Sequence, residues 1–308
     1  MHFAWAYSRE RANVLLAGRR RSITLEEYAE LCARCTVSAA YAPEFVQFYF
    51  SRLGLRPQLV GVLDRYGTLV AAFPSLYRMV FPTHFHRKLL GKSAARLGDF
   101  GQPESLFPIL PEAGRVTLGH LSPTTSVLLA GRINAVGQRS LRLVAIATDR
   151  RHKKLSARAR AFAAEGGQAH FTDEISPAEF AEAYVDLHCR RWGYPRSHLL
   201  PVREQIVALY PHVHGVLLTM RGRPVAVQLC WRHVGPKLYY VDFINAGVER
   251  TDDNTISYGS VMMLLSLRRT QEQAKARGCV LRFSFGYLSS DNAYKAVWTD
   301  PEPTFIGI

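Results

Sequence analysis

An aspartate stands inside an otherwise apolar run, Leu238-Tyr239-Tyr240-Val241-Asp242-Phe243-Ile244. Strand alternation puts Tyr240 and Asp242 on one face and Tyr239, Val241 and Phe243 on the other. An unpaired carboxylate is costly to bury, so Asp242 either faces solvent or serves a site. Downstream, Tyr258-Gly259-Ser260 opens a helix whose first turn offers free backbone N–H groups and the positive end of a dipole, a ready place for phosphate. Arg282 and Ser284 then alternate with Leu281, Phe283 and Phe285, Gly286 lets the chain turn away, and Tyr294, Lys295 and Trp298 follow. The same residues also fit plainer parts: Gly259 and Ser260 as a helix cap, Tyr294 at a sheet edge, Lys295 and Arg282 at the surface.

The elements that must position them are legible around them. Pro224 to Trp231 alternates as a half-buried strand, Leu238 to Ile244 forms the next, Tyr258 to Arg277 a helix closed by Gly278, and Cys279 to Phe285 a last strand. Upstream, Val202 to Tyr210 reads as a helix leading into a hairpin with its turn at Arg221-Gly222-Arg223. The first half has the same plan. A buried helix from Ala42 to Leu53, with Pro43 in its first turn, leads into strands Leu59 to Leu63 and Thr68 to Phe73 around a turn at Asp64 to Gly67. Gly67, Val70 and Ala71 fall on Gly222, Val225 and Ala226 at one constant offset of 155 residues, which predicts two copies of one fold. The expected domains are 1–150, a degenerate copy, and 151–308, the copy with the site. Between them, 86–123 reads as loops and short strands, Ser126 to Leu129 and Leu141 to Ile146 as strands, Lys154 to Glu165 as a basic helix, His170 to Thr172 as a strand and Pro177 to Trp192 as a helix.

Lys and Arg number 39 against 25 Asp and Glu, a formal charge of +14 that draws the molecule toward polyanions: nucleic acid, anionic lipid or a phosphorylated donor. Arg150, Arg151, Lys153, Lys154 and Arg158 are the densest part of that charge and the expected anion-binding surface. Five scattered cysteines do not form a secreted disulfide framework, so a reducing, cytoplasmic setting is expected, with any contact to the inner membrane peripheral. Cys32-x-x-Cys35 lies in a helical pattern with no second pair, and His84, His86, His212 and His214 have no thiol or carboxylate beside them, so no metal is expected. Neither a Gly-x-Ser-x-Gly elbow nor a Gly-x-x-x-x-Gly-Lys-Ser/Thr loop occurs, which sets aside serine hydrolase and P-loop chemistry.

The order strand, helix with a phosphate-facing start, strand, then Phe285-Gly286, Tyr294-Lys295 and Trp298, resembles the C-terminal domain of GNAT-fold proteins. It is similar in particular to Fem-type peptidyltransferases and related acyltransferase-like proteins, which also carry a basic helix before their second domain. Phe283-Ser284-Phe285-Gly286 with Tyr294-Lys295 and Trp298, together with Leu187-His188 and Arg190-Arg191-Trp192, resembles the macrophage-inducible antimicrobial peptide resistance family of Gram-negative bacteria. The resemblance implies an α/β (α+β) fold of tandem GNAT-like domains, with mixed, mostly antiparallel sheets flanked by helices. It also implies acyl or aminoacyl transfer from a thioester or aminoacyl donor, acyl-CoA or aminoacyl-tRNA, to an amine or hydroxyl, in proteins that help bacteria withstand cationic peptides. Such transfer needs a cradle for a phosphorylated donor, a group to deprotonate the acceptor and donors for the developing oxyanion; Tyr258, Gly259 and Ser260, with Arg282 and Ser284, would supply the first, Asp242 the second, and Lys295 or Tyr294 the third. The glycine-rich loop of an acetyl-CoA site is reduced here to Gly259-Ser260, which moves the expected donor away from plain acetyl-CoA. A catalytically inert basic protein that binds a membrane surface or nucleic acid is the alternative.

Overall fold

The computed structural model describes residues 19–35, 37–76, 79–82, 90–99, 101, 106–110, 115–117, 126–129, 132–135, 139–145, 149–249, 256–287, 295 and 298–305. The first half contains β1 (Arg19–Ser22), α1 (Leu25–Arg34), α2 (Pro43–Arg52), the hairpin β2 (Leu59–Leu63) and β3 (Leu69–Leu76), and a short β4 (Met79–Val80). These strands form one sheet in the order β1-β2-β3-β4. Three further strands, β5 (Arg115–Thr117), β6 (Ser126–Leu129) and β7 (Arg132–Ala135), make a small separate sheet.

The larger sheet is built from β8 (Arg139–Ala145), β9 (Gly167–Phe171), β10 (Val213–His214), β11 (Val216–Met220), β12 (Arg223–Val234), β13 (Leu238–Val248), β14 (Val280–Tyr287) and β15 (Thr299–Phe305). Its order is β15-β8-β14-β13-β12-β11-β9, with β10 beside β12. The sheet takes strands from both sides of residue 150, since β8 lies between β14 and β15. Neighbours are antiparallel except β13 and β14, whose parallel pairing requires the crossover helix α6 (Tyr258–Ala276). The other helices are α3 (Asp149–Ala164), α4 (Pro177–Trp192) and α5 (Leu200–Ala208). The result is a mixed α/β fold with mostly antiparallel sheets, as the resemblance implies.

Local chemistry explains the helix ends. Ser176 caps α4 by accepting from the Glu179 N–H at 3.2 Å, Pro177 takes the first turn, and Gly193 closes the helix at φ 71°. Thr24 and Glu27 form a reciprocal capping box on α1. α6 differs: its N-cap Ser257 makes no side-chain bond to the first turn.

Helices cover both faces of the large sheet. On one face Phe283, Phe285, Tyr239 and Val241 pack with Leu264 and Leu267 of α6 and Leu155 of α3. On the other, Leu217, Val227, Leu229 and Trp231 meet Phe180, Tyr184 and Leu187 of α4 and run without a break into Phe45, Phe50, Phe73 and Phe107 of the first half. Trp231 is the seam, with its indole edge-on to Phe45 at 5.1 Å and its Nε1 donating to the Asp99 carbonyl at 2.9 Å.

The two halves share an order of parts. β1 and β9 each precede two helices and lie antiparallel beside the first strand of a hairpin, β2-β3 or β11-β12. Each hairpin carries a register shift at its turn end, between Val62 and Leu63 in one and Leu218 and Thr219 in the other. Gly67 and Gly222 both sit at positive φ, 84° and 79°.

Among the strands that escape the sequence pattern, two have compositions that hide them. β1 is Arg-Arg-Arg-Ser, and β15 contains Pro301 and Pro303. Both lie at sheet edges, where charge is solvated and a missing N–H goes unanswered without cost. No described helix is long and apolar enough to cross a membrane.

Candidate active site

The parallel strands β13 and β14 pair only from Leu238↔Val280 to Asp242↔Ser284. Beyond that point they part, and β13 carries a bulge: Cys230 of β12 faces Phe243 while Leu229 faces Asn245, leaving Ile244 unmatched. A bulge bends its strand and re-aims the residues around it. Its back is braced by the first half, because a Cβ on Gly101 would lie 2.8 Å from Ile244 Cδ1. The brace is itself tied down, with the Asp99 N–H donating to Gln205 Oε1 at 2.7 Å.

The opening is a cavity of about 480 Å³. Phe243, Ile244, Asn245, Ala246, Val248 and Glu249 of the bulged segment form one wall, and Ser257, Tyr258, Gly259, Ser260, Met262 and Met263 at the start of α6 form another. Lys295 and the buried Trp298 also line it, and the exposed Arg191 and Trp192 at the end of α4 stand at its rim. Lys295 Nζ donates to the Phe285 carbonyl at 3.0 Å, just past the last paired residue of β14, and sits 4.8 Å from the centre of the Phe243 ring. Phe243 in turn stacks on Phe285 at 5.5 Å. Burial lowers the Lys295 pKa from its ordinary value, and the nearby charge of Asp242 opposes that shift.

Of the residues marked in the sequence, Tyr258, Gly259, Ser260 and Lys295 therefore converge on one cavity. The start of α6 carries no side-chain cap, and the Ser257 and Ser260 hydroxyls lie 3.0 Å apart beside it. A side chain at Gly259 would meet only Val248, at 3.9 Å, so glycine is not sterically required there. Asp242 does not face solvent: it is 4% exposed, one residue before the opening. It stands opposite Ser284, which is fully buried, and Arg282 pairs opposite Tyr240. Asp242, Arg282 and Ser284 do not line the cavity, because the Phe243, Phe283 and Phe285 side chains take the α6 face. Tyr294 lies outside the described residues, as do the side chains of Arg150, Arg151 and Lys154. Lys153 is exposed and Arg158 half-buried on α3, which packs beside α6 through an Arg268 to Ser156 hydrogen bond of 2.6 Å and does not reach the cavity.

The sequence reasoning did not assign Phe243, Asn245, Glu249, Arg191 or Trp192 to the site. A regular strand pattern gives no signal for a bulge, and α4 is distant in sequence from the other wall. His214 belongs to the fold. It is fully buried, its pKa is brought down to about 3 by burial, and its Nε2 lies 2.7 Å from the Thr270 hydroxyl of α6. That hydroxyl also lies 2.6 Å from the Ser266 carbonyl.

A sequence model of the Mig-14 family matches residues 43–306. The chain belongs to that family. No curated protein matches it in sequence. Among solved structures, FemX aligns over 93% of this chain and 95% of its own, with 10% identity and a TM-score of 0.51. The C-terminal domain of a putative lysylphosphatidylglycerol synthetase from Agrobacterium fabrum covers 91% of each chain with 10% identity and a TM-score of 0.47. The aminoglycoside N-acetyltransferase AAC(6')-Iy, in complex with CoA, covers 45% of this chain and 91% of its own with 14% identity and a TM-score of 0.31. At such identities a match speaks to fold alone, and the FemX alignment carries it: the chain has a FemX-like fold.

Proposed function

We propose that this member of the family is a Fem-like acyl- or aminoacyltransferase that modifies an envelope-related acceptor and so contributes to resistance to cationic peptides. The observation that carries it is a half-buried lysine and an uncapped helix start that line one cavity at the opening of a parallel strand pair. The start of α6 holds the phosphates of the donor, acyl-CoA or aminoacyl-tRNA. The acyl carbonyl enters between Phe243 and Met263, where Lys295 offers its ammonium to the oxygen that becomes negative. The acceptor amine or hydroxyl attacks that carbon, a new C–N or C–O bond forms, the bond to the donor thiol or ribose oxygen breaks, and the acceptor proton leaves with that group. Asp242 supports the step from behind the opening by favouring the charged form of Lys295. Tyr294, next to Lys295 in sequence, remains a second oxyanion donor in this scheme. The tandem arrangement is part of the proposal: the shared order of parts and the matching hairpin shifts support a duplicated GNAT-like unit whose first copy lost the site. The charge of +14 favours a polyanionic donor and a peripheral place at the inner membrane.

The test is complementation of a peptide-sensitive deletion strain by the Asp242→Asn/Lys295→Met double variant. It should fail to restore growth while its melting temperature stays close to that of the wild type. Full complementation would overturn the catalytic function and leave an inert binding protein in its place.

A further inference from the structure

The arginines around the end of α4 are not alike. Arg190 donates to Glu249 at 3.0 Å and Arg223 to the same carboxylate at 2.9 Å. Arg196 pairs with Glu182 and Asp186, and Arg203 with Glu182. Arg191, exposed and on the cavity rim, has no carboxylate partner among the described residues, and its guanidinium carbon lies 5.6 Å from the centre of the Trp192 ring. Trp192 is 52% exposed although it is the last residue of a helix whose other large apolar side chains, Phe180, Tyr184 and Leu187, are buried. The His188 ring backs it at 6.2 Å with a 44° tilt, and Gly193 ends the helix directly after it, at φ 71°. An unneutralised guanidinium over a half-exposed indole, at the mouth of a cavity, is complementary to a ligand with both a negative charge and a flat π face.

We propose that Arg191 and Trp192 form a nucleotide clamp, in which the indole stacks on the adenine and the guanidinium pairs with the phosphate of the acyl donor. The inference rests on the acyl-donor function proposed above. It names the part of the donor held at the rim, while the start of α6 holds its remaining phosphates and Lys295 meets the acyl carbonyl that reacts. Adenosine 5′-phosphate is the chemistry common to both donor classes, since CoA carries it at one end and tRNA ends in it. The clamp also places anion recognition on α4 rather than on the basic helix α3, which the cavity does not reach.

Calorimetric titration of the full chain with CoA, and in parallel with an aminoacylated RNA minihelix ending in cytidine-cytidine-adenosine, tests this directly and identifies which source supplies the nucleotide. The probe that binds the wild type should lose about tenfold in affinity with Trp192→Ala, the order of one base–aromatic stack, and a similar factor with Arg191→Gln. Trp192→Phe, which keeps a π face, should recover most of the loss. Adenosine 5′-monophosphate should compete in the wild type and fail to compete in Trp192→Ala. Wild-type affinity in both variants overturns the clamp and leaves the acyl-donor function standing. Binding of neither probe to the wild type overturns the donor function and the clamp with it. Unchanged donor binding with loss of retention on phosphatidylglycerol vesicles overturns the clamp by assigning the pair to a lipid surface. The side chains changed are exposed, so melting temperatures should stay level across the set.

Discussion

The halves of this molecule repeat an order of parts and bury different things. The first half buries aromatic and aliphatic side chains and, among the described residues, only Ser38 and Ser75 as polar ones, whereas the second buries His188, Gln205, His214, Gln228, Asp242 and Ser284 among others. A buried polar group holds its neighbours in one arrangement where it is bonded, as Gln205 is to the Asp99 N–H and His214 to the Thr270 hydroxyl. Glycines tell the same story. A Cβ at Gly61 of β2 would meet the tips of Ile23 and Leu69 at 2.6 Å, which can move aside. A Cβ at Gly215 would meet the Gln228 carbonyl at 2.0 Å and one at Gly247 the backbone of Leu187 and His188 at 2.7 Å, neither of which can yield. The first half is a tolerant hydrophobic support, the second a rigid frame around an opening. The contrast suits a site that must hold geometry.

The largest test of it falls on the seam. Trp231→Ala removes a fully buried indole and its bond to Asp99, and should cost about 4 kcal/mol. Urea unfolding followed at two probes should then separate into two transitions, and a single coincident transition would show that the halves are joined elsewhere. Next comes the glycine contrast. Gly215→Ala and Gly247→Ala should each destabilise by about 3 kcal/mol and Gly61→Ala by about 1 kcal/mol, measured by the same denaturant midpoints. Equal losses would erase the distinction between frame and support.

Acid should act on the second half. Above about pH 6.5 His214 is neutral in both folded and unfolded chains and contributes no pH dependence. Below it the unfolded chain takes up a proton that the buried ring, with its pKa brought down to about 3, refuses, so stability falls as pH falls toward 3. At pH 5 the loss is about 2 kcal/mol from this group. His233, brought down to about 4, and His212 and His188, also lowered, add in the same direction. Thermal melts from pH 7 to pH 4 should show the decline, and His214→Gln should flatten it. An unchanged slope in that variant would count against the assignment. The smallest effect tests the likeness rather than the difference. Gly67→Ala and Gly222→Ala, both at positive φ with nothing within 4 Å of the added carbon, should cost the same, about 1 kcal/mol, in matched melts. A clear inequality would show that the two turns are held differently.

What the sequence by itself determined was each element whose pattern is written in neighbouring residues. The helix at Pro177–Trp192 announces itself by Ser176, Pro177 and Gly193, and the hairpins by Gly67 and Gly222 between alternating strands. The position of Tyr258-Gly259-Ser260 at the start of α6 also follows a signal local enough to see. The tertiary structure alone decided the rest. It chose burial over solvent for Asp242, because the first half covers that face of β13. It opened the cavity, because a one-residue bulge at Ile244 and the early end of the β13-β14 ladder depend on the register of strands far apart in the chain. It brought Arg191 and Trp192 to the rim by packing α4 against Gly247. Edge strands with arginine or proline are invisible to periodicity for a related reason: being an edge is a property of the sheet, and no single strand carries it in its own residues.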